Sequence, residues 1–446
     1  PNISDALPQL GMQLFYSKSL SGGLDTACVS CHHPSLGGAD NLSLSVGVAA
    51  TNPELLGLGR ENDSGIPVVP RNAPTVFNTG LWDTGLFWDS RVESIGKETA
   101  ANGSVSGIRT PDSDFLVADI TTGLNLSSAQ ASFPVTSGDE MKGNVFESDG
   151  DNESTRDHLA ARMGDYGEGQ GELDINGWLQ EFQQAFGSSA DKESLITFDN
   201  IAEALGEYER SMVFVSSPWR GYLDGDLSAL NEVEKAGAEL FFTNVNDGGA
   251  GCGNCHNGPL LSDGQHHVVA FPHGGPGKGD VNDDDVGRER ETGNPDDRYR
   301  FRTPSLLNIA QTGPYGHTGV YQSLAQVVRH YINPNREVND FFERGGICNT
   351  PQYDNVASCQ SLYPNNASNS RLALEKLEQE QGDRTSRFQS PRLNNNEVDQ
   401  LVAFMEALTD PCVEDRACLG DWIPDTNDVG VDGQQLNAVN SQGTSL

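Results

Sequence analysis

Two pentapeptides of the same design stand far apart in the chain, Cys28-Val-Ser-Cys31-His32 and Cys252-Gly-Asn-Cys255-His256. C-x-x-C-H is the pattern of haem c attachment. Two thiols add across the two vinyl groups of one porphyrin, and the His after the second Cys is placed to ligate the iron through its imidazole. The composition leads one to expect about 0.003 chance copies of such a pentapeptide, so its double occurrence points to two covalently bound haem c groups. A zinc site or a pair of redox dithiols would not need a His at the fifth position both times.

The segments around the motifs are themselves repeated. Leu10-Gly11-Met12-Gln13-Leu14-Phe15 precedes the first and Ala236-Gly237-Ala238-Glu239-Leu240-Phe241 the second, both with helical apolar spacing. Arg71-Asn72-Ala73-Pro74-Thr75 follows the first and Arg302-Thr303-Pro304-Ser305 the second; Cys28 to Pro74 is 46 residues and Cys252 to Pro304 is 52. The expectation is a tandem duplication: a mainly α fold of two cytochrome c-like haem domains, 1–216 and 217–410, with long loops and little β structure. Helices are expected through 155–215 and at 396–405. A tail over 411–446, rich in Asp, Asn, Gln and Gly towards its end, reads as partly extended or disordered.

The remaining four of the eight cysteines close short loops, Cys348–Cys359 and Cys412–Cys418, and read as disulfides, which belong to an oxidising compartment. Haem c attachment also takes place outside the bacterial cytoplasm, so a periplasmic or cell-surface location is expected. A chain opening at Pro1 reads as a mature, processed one. With 28 Lys+Arg against 64 Asp+Glu the net charge is −36, which argues against nucleic acid as a partner and for a partner with a basic patch or a saline habitat. No stretch has the roughly 20 apolar residues that span a bilayer. The acidic run Asp280-Val281-Asn282-Asp283-Asp284-Asp285 lacks the Gly of a calcium loop and reads as solvated. His266, His267 and His273 offer metal-binding groups but read as surface or haem-edge residues.

From about residue 8 to 410 the chain resembles the bacterial di-haem cytochrome c peroxidases and their MauG-like and MbnH-like relatives. The carriers are the two haem motifs, Arg71-Asn72-Ala73-Pro74-Thr75, Phe87-Trp88-Asp89-Ser90-Arg91, Asp139-Glu140-Met141 and Thr312-Gly313-Pro314-Tyr315-Gly316-His317. The resemblance implies that Glu140 is the acid/base of a peroxide site at the first haem, with Gln130 and Pro134 lining it. It implies that Trp88 couples the two haems, and that Asn72, Thr312 and Pro314 hold a Ca²⁺ between them. No His lies between His33 and His158, and Gly59–Gly65 stands where many family peroxidases carry a blocking His, so the first haem is expected to keep an open face. Peroxidases of the family place a Met about 75 residues past the second motif. Here that position is Tyr331, and the only later Met is Met405, 149 residues past His256. Tyr331 is therefore the expected second ligand of the second haem, as in the MauG-like branch, with His330 its rival.

The function implied is a peroxide-driven oxidation of aromatic residues, Trp above all, in a separate secreted or periplasmic protein. A scavenging peroxidase fed by a small cytochrome or cupredoxin is the alternative, and a non-enzymatic electron carrier with two six-coordinate haems a third reading.

Overall fold

Two crossed helix pairs, one in each half of the chain, carry the architecture. In a computed structural model, which describes every residue except Asn427, the helix Ala6–Tyr16 packs on Phe198–Ser211, and Glu232–Phe242 packs on Asn395–Glu406. Both crossings are closed by a glycine. A methyl group on Gly11 would lie 2.0 Å from the carbonyl oxygen of Ala204, and one on Gly237 would lie 2.0 Å from that of Gln400. Only hydrogen fits, so the backbones touch and the large apolar residues flanking each glycine reach the partner helix.

Local sequence explains where these helices begin. Asn231 and Asn394 accept from the third helical N–H while Glu234 and Glu397 reach back to the cap, two complete capping boxes. Thr197 caps Phe198–Ser211 in the simpler way. Each pair sits in its own core. The first gathers Leu10, Leu14, Phe15, Trp178, Phe182, Leu205 and Tyr208; the second gathers Phe241, Leu324, Val328, Leu401 and Phe404. A three-stranded antiparallel patch (Gly85–Leu86, Val92–Ser94, Ile108–Arg109) and a two-stranded one (His266–His267 with Phe301–Arg302) are the strands of the described residues. Cys348 is bonded to Cys359 and Cys412 to Cys418. Among the described residues no helix is long and apolar enough to cross a membrane.

Two expectations are sharpened or corrected. Of the two readings of the tail, partly extended or disordered, the described residues take the extended one, with bridges from Gln435 to Ser17 and from Val439 to Leu55. Val413, Leu419, Ile423, Leu436 and Ala438 enter the first core, and buried Asp432 accepts from Ser17 Oγ (2.6 Å), Ser19 Oγ (2.8 Å) and Trp178 Nε1 (3.0 Å). The acidic run is not solvated at its end. Asp284 and Asp285 are buried, and Asp285 takes both Nε and Nη2 of Arg71 at 2.7 Å, with Asp89 on Nη1 at 2.5 Å. Two buried carboxylates share one buried guanidinium, which joins the loop of the second half to the first.

Candidate functional site

Each motif lies in a tight turn after its glycine-crossed helix, Cys28–Ser30 and Cys252–Asn254. His32 Nδ1 lies 3.2 Å from the Gly38 carbonyl and His256 Nδ1 2.9 Å from that of Leu261. A carbonyl can only accept, so Nδ1 carries the proton in both rings and Nε2 is left bare for a metal. The turns after the motifs are pinned alike. Thr75 Oγ1 donates to the Gly37 carbonyl (2.6 Å) and Ser305 Oγ to that of Leu260 (2.7 Å). That is the structural content of the repeated Pro-Thr and Pro-Ser signatures.

Two cavities open at the motifs. The first is lined by Cys28, Cys31, His32, Trp88, Gln130, Pro134 and Glu140, which brings the expected peroxide-site residues together. The second is lined by Cys252, Cys255, His256 and Tyr331, and also by Asn72, Thr312 and Pro314. The four motif thiols are unpaired. Burial pushes Cys31 and Cys252 up to about 12 and His32 down to about 4, so these thiols and imidazoles are kept neutral. Arg302 lines both cavities and its buried Nη1 has no partner among the described residues. A buried cation with an open donor fits the propionate of a haem. The thiols, bare Nε2 atoms and unpaired guanidinium all suit two haem c groups.

The wall between the cavities is common to both. Trp88 lines each, held by donation from Nε1 to the Asn72 carbonyl at 2.9 Å. Trp82, outside every motif of the sequence, also lines both, with the Arg302 guanidinium 4.1 Å from its ring centroid. Nothing in the sequence around Trp82 marks it, because its role comes from its position against Arg302, 220 residues on in the chain.

Around Glu140 the first cavity is charged. Burial raises its carboxyl above the ordinary range, while Arg91 at 4.0 Å and Lys278 oppose that shift. Lys278, carried into this cavity by the loop preceding the acidic run, is pushed down to about 8 by burial and by Arg91 and Arg71. Neither cation was singled out from sequence, although Arg91 closes the Phe87-Trp88-Asp89-Ser90-Arg91 segment. His32 is the one histidine in the described lining of this cavity. Gly59–Gly65 stays out of it, since Arg60 turns away to donate to the Val46, Pro53 and Leu55 carbonyls.

In the second cavity the neighbours His330 and Tyr331 are placed differently. His330 is fully buried with Nδ1 2.7 Å from Tyr321 Oη and Nε2 2.7 Å from the Val269 carbonyl, and it does not line the cavity. Tyr331 does, with its ring stacked on Phe388 at 5.3 Å. Met405, placed far from the site by sequence distance, also reaches this wall. It is the counterpart of Glu209. Gly11 meets Ala204 and Tyr208 where Gly237 meets Gln400 and Phe404, which makes Leu205 and Glu209 of the first cavity equivalent to Leu401 and Met405 of the second. The histidines 266, 267 and 273 diverge to Ser90, Asp263 and Asp284, and His267 lines the second cavity beside Cys255.

A family model described as di-haem cytochrome c peroxidase matches residues 5–228. The cytochrome c551 peroxidase of Nitrosomonas europaea is 28% identical over 337 residues, 75% of each chain. The methylamine utilization protein MauG of Methylorubrum extorquens is 28% identical over 323 residues, 72% of this chain and 67% of that protein. Among solved structures, a MauG-like protein associated with microbial copper homeostasis has a TM-score of 0.56 at 23% identity, covering 94% of both chains. The diheme peroxidase BthA from Burkholderia thailandensis has a TM-score of 0.55 at 21% identity, covering 91% of this chain and 86% of that one. At such identities the structural likeness is one of fold.

Proposed function

The chain belongs to the di-haem cytochrome c peroxidase family, and from that premise we propose that it reduces hydrogen peroxide at the first motif while oxidising aromatic side chains, chiefly Trp, of a separate secreted protein. The observation that carries this reading is Tyr331 facing the second cavity while both nitrogens of His330 are occupied elsewhere. Cys28, Cys31 and His32 would hold one haem, which would supply the redox chemistry for reducing peroxide, and Cys252, Cys255, His256 and Tyr331 would hold a second, which would supply an electron store of low potential.

Glu140 takes the proton from the inner peroxide oxygen and returns it to the outer one, which departs as water. A carboxyl raised by burial is a better base than an exposed one. Arg91 and Lys278 bring positive charge to the same cavity, favouring the negative charge that gathers on the departing oxygen. Gln130 and Pro134 complete the wall. Each H₂O₂ takes up two electrons and two protons to give two waters, and the electrons come from the partner protein through the wall held by Trp88. Asn72, Thr312 and Pro314, together on the second cavity, would offer a Ca²⁺ amide, hydroxyl and carbonyl oxygens. Two disulfides and covalent haem suit a periplasmic or cell-surface setting.

As a ligand, the Tyr331 oxygen would lower the potential of a haem held there and disfavour its reduction by a small cytochrome. Redox titration with visible spectra tests this. A high-potential His/Met centre, rapidly reduced by a small cytochrome, would sink the proposal in favour of a scavenging peroxidase, the reading that the names of relatives such as cytochrome c551 peroxidase favour.

A further inference from the structure

The two lobes differ in what covers the outer face of their first helix. In the first lobe Phe15 and Tyr16, four and five residues past Gly11, are fully buried; Tyr208 Oη donates to the Trp422 carbonyl (2.8 Å), and the tail closes over the face. In the second lobe the equivalents are Phe241 and Phe242, and among the described residues the tail packs on the first core instead. Phe242 is 43% exposed, with Leu223 at 61% and Leu227 at 67%.

This uncovered face is the end of an aromatic stack that begins at the second motif. The Phe242 ring lies against Gly253, inside the C-x-x-C turn, where a methyl group would come within 2.9 Å of Cδ1. Trp219 stacks on Phe242 with centroids 5.6 Å apart and planes at 19°, and Tyr222 continues the stack at 5.9 Å and 17°. Phe is too hard to oxidise to hold a hole, but Trp and Tyr are not. The segment that carries the face, 218–248, contains Asp224, Asp226, Glu232, Glu234, Glu239 and Asp247 against Arg220 and Lys235. Both cations are already paired, with Asp224 and Glu232. An apolar face on a segment whose Asp224, Asp226, Glu232, Glu239 and Asp247 are exposed is complementary to a basic partner.

We infer that the Trp219 face is the docking surface for the protein that supplies electrons, a partner with a basic patch around its oxidisable group, and that Trp219 relays those electrons inward. The inference rests on the peroxide-driven reading above. Trp219 gives one electron inward and regains one from the partner; two such cycles and two protons turn one H₂O₂ into two waters.

The test uses the holoprotein and a lysine-rich mitochondrial-type cytochrome c as probe. Zinc-substituted probe, which is redox-inert, reports binding by fluorescence: the double variant Asp226→Lys/Glu239→Lys is expected to weaken its affinity about tenfold at low salt, and unchanged affinity would overturn the docking surface. Ferrous probe, which a second haem of low potential does not oxidise in the resting protein, can donate only after peroxide has drawn two electrons from the protein. At saturation it reports relay: Trp219→Phe, which keeps the ring stack, is expected to slow this peroxide-dependent oxidation at least tenfold, while Trp219→Tyr, still oxidisable, retains most of it. Equal rates in the Phe and Tyr variants would overturn the relay. Glu140→Gln separates the two ideas. If it abolishes probe oxidation while Trp219→Phe does not, the relay alone falls; if neither variant slows it, the peroxide reading falls with it.

Discussion

Asn78 and Asn308 donate their side-chain amides to the same acceptor, the carbonyl oxygen of Phe214, at 3.2 and 3.0 Å. Both residues sit in the left-handed region, at φ of 63° and 62°, and both lie four residues past the Pro of a repeated signature. Their own backbone N–H groups donate to equivalent helix ends, Met212 and Leu408. The linker between the halves is thus gripped at one peptide group by the same residue of each copy, so the duplication is a point of contact as well as a pattern.

A carbonyl oxygen has two lone pairs, and here each is used by one Asn. Replacing either by Ala should cost about 1–3 kcal/mol, since Asn78 Oδ1 also accepts from Phe214 N and Asn308 Oδ1 from Asp410 N, both at 2.8 Å. The double variant leaves the buried carbonyl without a donor and should lose roughly 0.5–1 kcal/mol beyond the sum. Urea unfolding of the four proteins measures the coupling; strict additivity would show the acceptor is not energetically shared.

Tyr331 and Met405 both line the second cavity, so their removal separates them. Tyr331→Phe should raise the potential of the second haem and convert its spectrum to that of an iron lacking its second protein ligand. Met405→Leu, a swap of similar volume in a packed core, should leave the spectrum unchanged, as should His330→Gln. A spectral change in the Met405 variant and none in the Tyr331 variant would reverse the assignment.

What the sequence made legible is what is local in it. Haem attachment depends on five consecutive residues, and Asn231 with Glu234 or Asn394 with Glu397 announce a helix start within one turn. Asp285 looked solvated because its counter-ion, Arg71, is 214 residues away. Asp432 looked like part of an extended or disordered end because Ser17, Ser19 and Trp178 lie far back in the chain. Met405 looked misplaced because counting from His256 ignores the helix crossing at Gly237 that returns it to the motif. In each case a polar or apolar partner supplied by tertiary packing overrode what composition suggests.

Glu140→Gln keeps the shape of the first cavity and removes the base that the proposed function places there. The reaction of the ferric protein with peroxide should slow by about 10²–10⁴-fold. In the unaltered protein the rate should fall as pH drops through the carboxyl's raised value, since only the ionised form accepts the proton. That acid limb should vanish in the variant. Stopped-flow rates between pH 4 and 8 decide it, and an acid limb that survives in Glu140→Gln would assign the base elsewhere.

The Arg71–Asp285 pair is bidentate and buried, and Asp89 shares the same guanidinium. Asp285→Asn leaves Arg71 one carboxylate, so the loss should be roughly 2–3 kcal/mol rather than the 3–5 expected for an unpaired buried charge. Arg71 holds Asp285 well below the usual carboxylate range. Its stabilising contribution is therefore complete above the ordinary carboxylate value and lost as pH falls through the lowered one. The variant should be less stable than the parent at pH 7 and converge on it in acid; a difference that persists undiminished at low pH would mean the charge is not what matters.

Glu209 is the opposite case. It faces the first cavity 4% exposed, one carboxylate oxygen has no partner, and burial pushes it from the ordinary 4.5 up to about 8. An acid raised by folding binds its proton in the native state while the unfolded chain has released it, so stability falls as pH rises from 4.5 to about 8 and is level above that. Each pH unit in that window costs at most about 1.4 kcal/mol. Glu209→Gln is uncharged at every pH and nearly the same shape. It should match the parent near pH 4.5, exceed it by up to roughly 3 kcal/mol at pH 7, and gain nothing more above pH 8. Denaturation midpoints across pH 4.5–9 test this: a pH-independent difference would show that folding does not raise the carboxyl's titration.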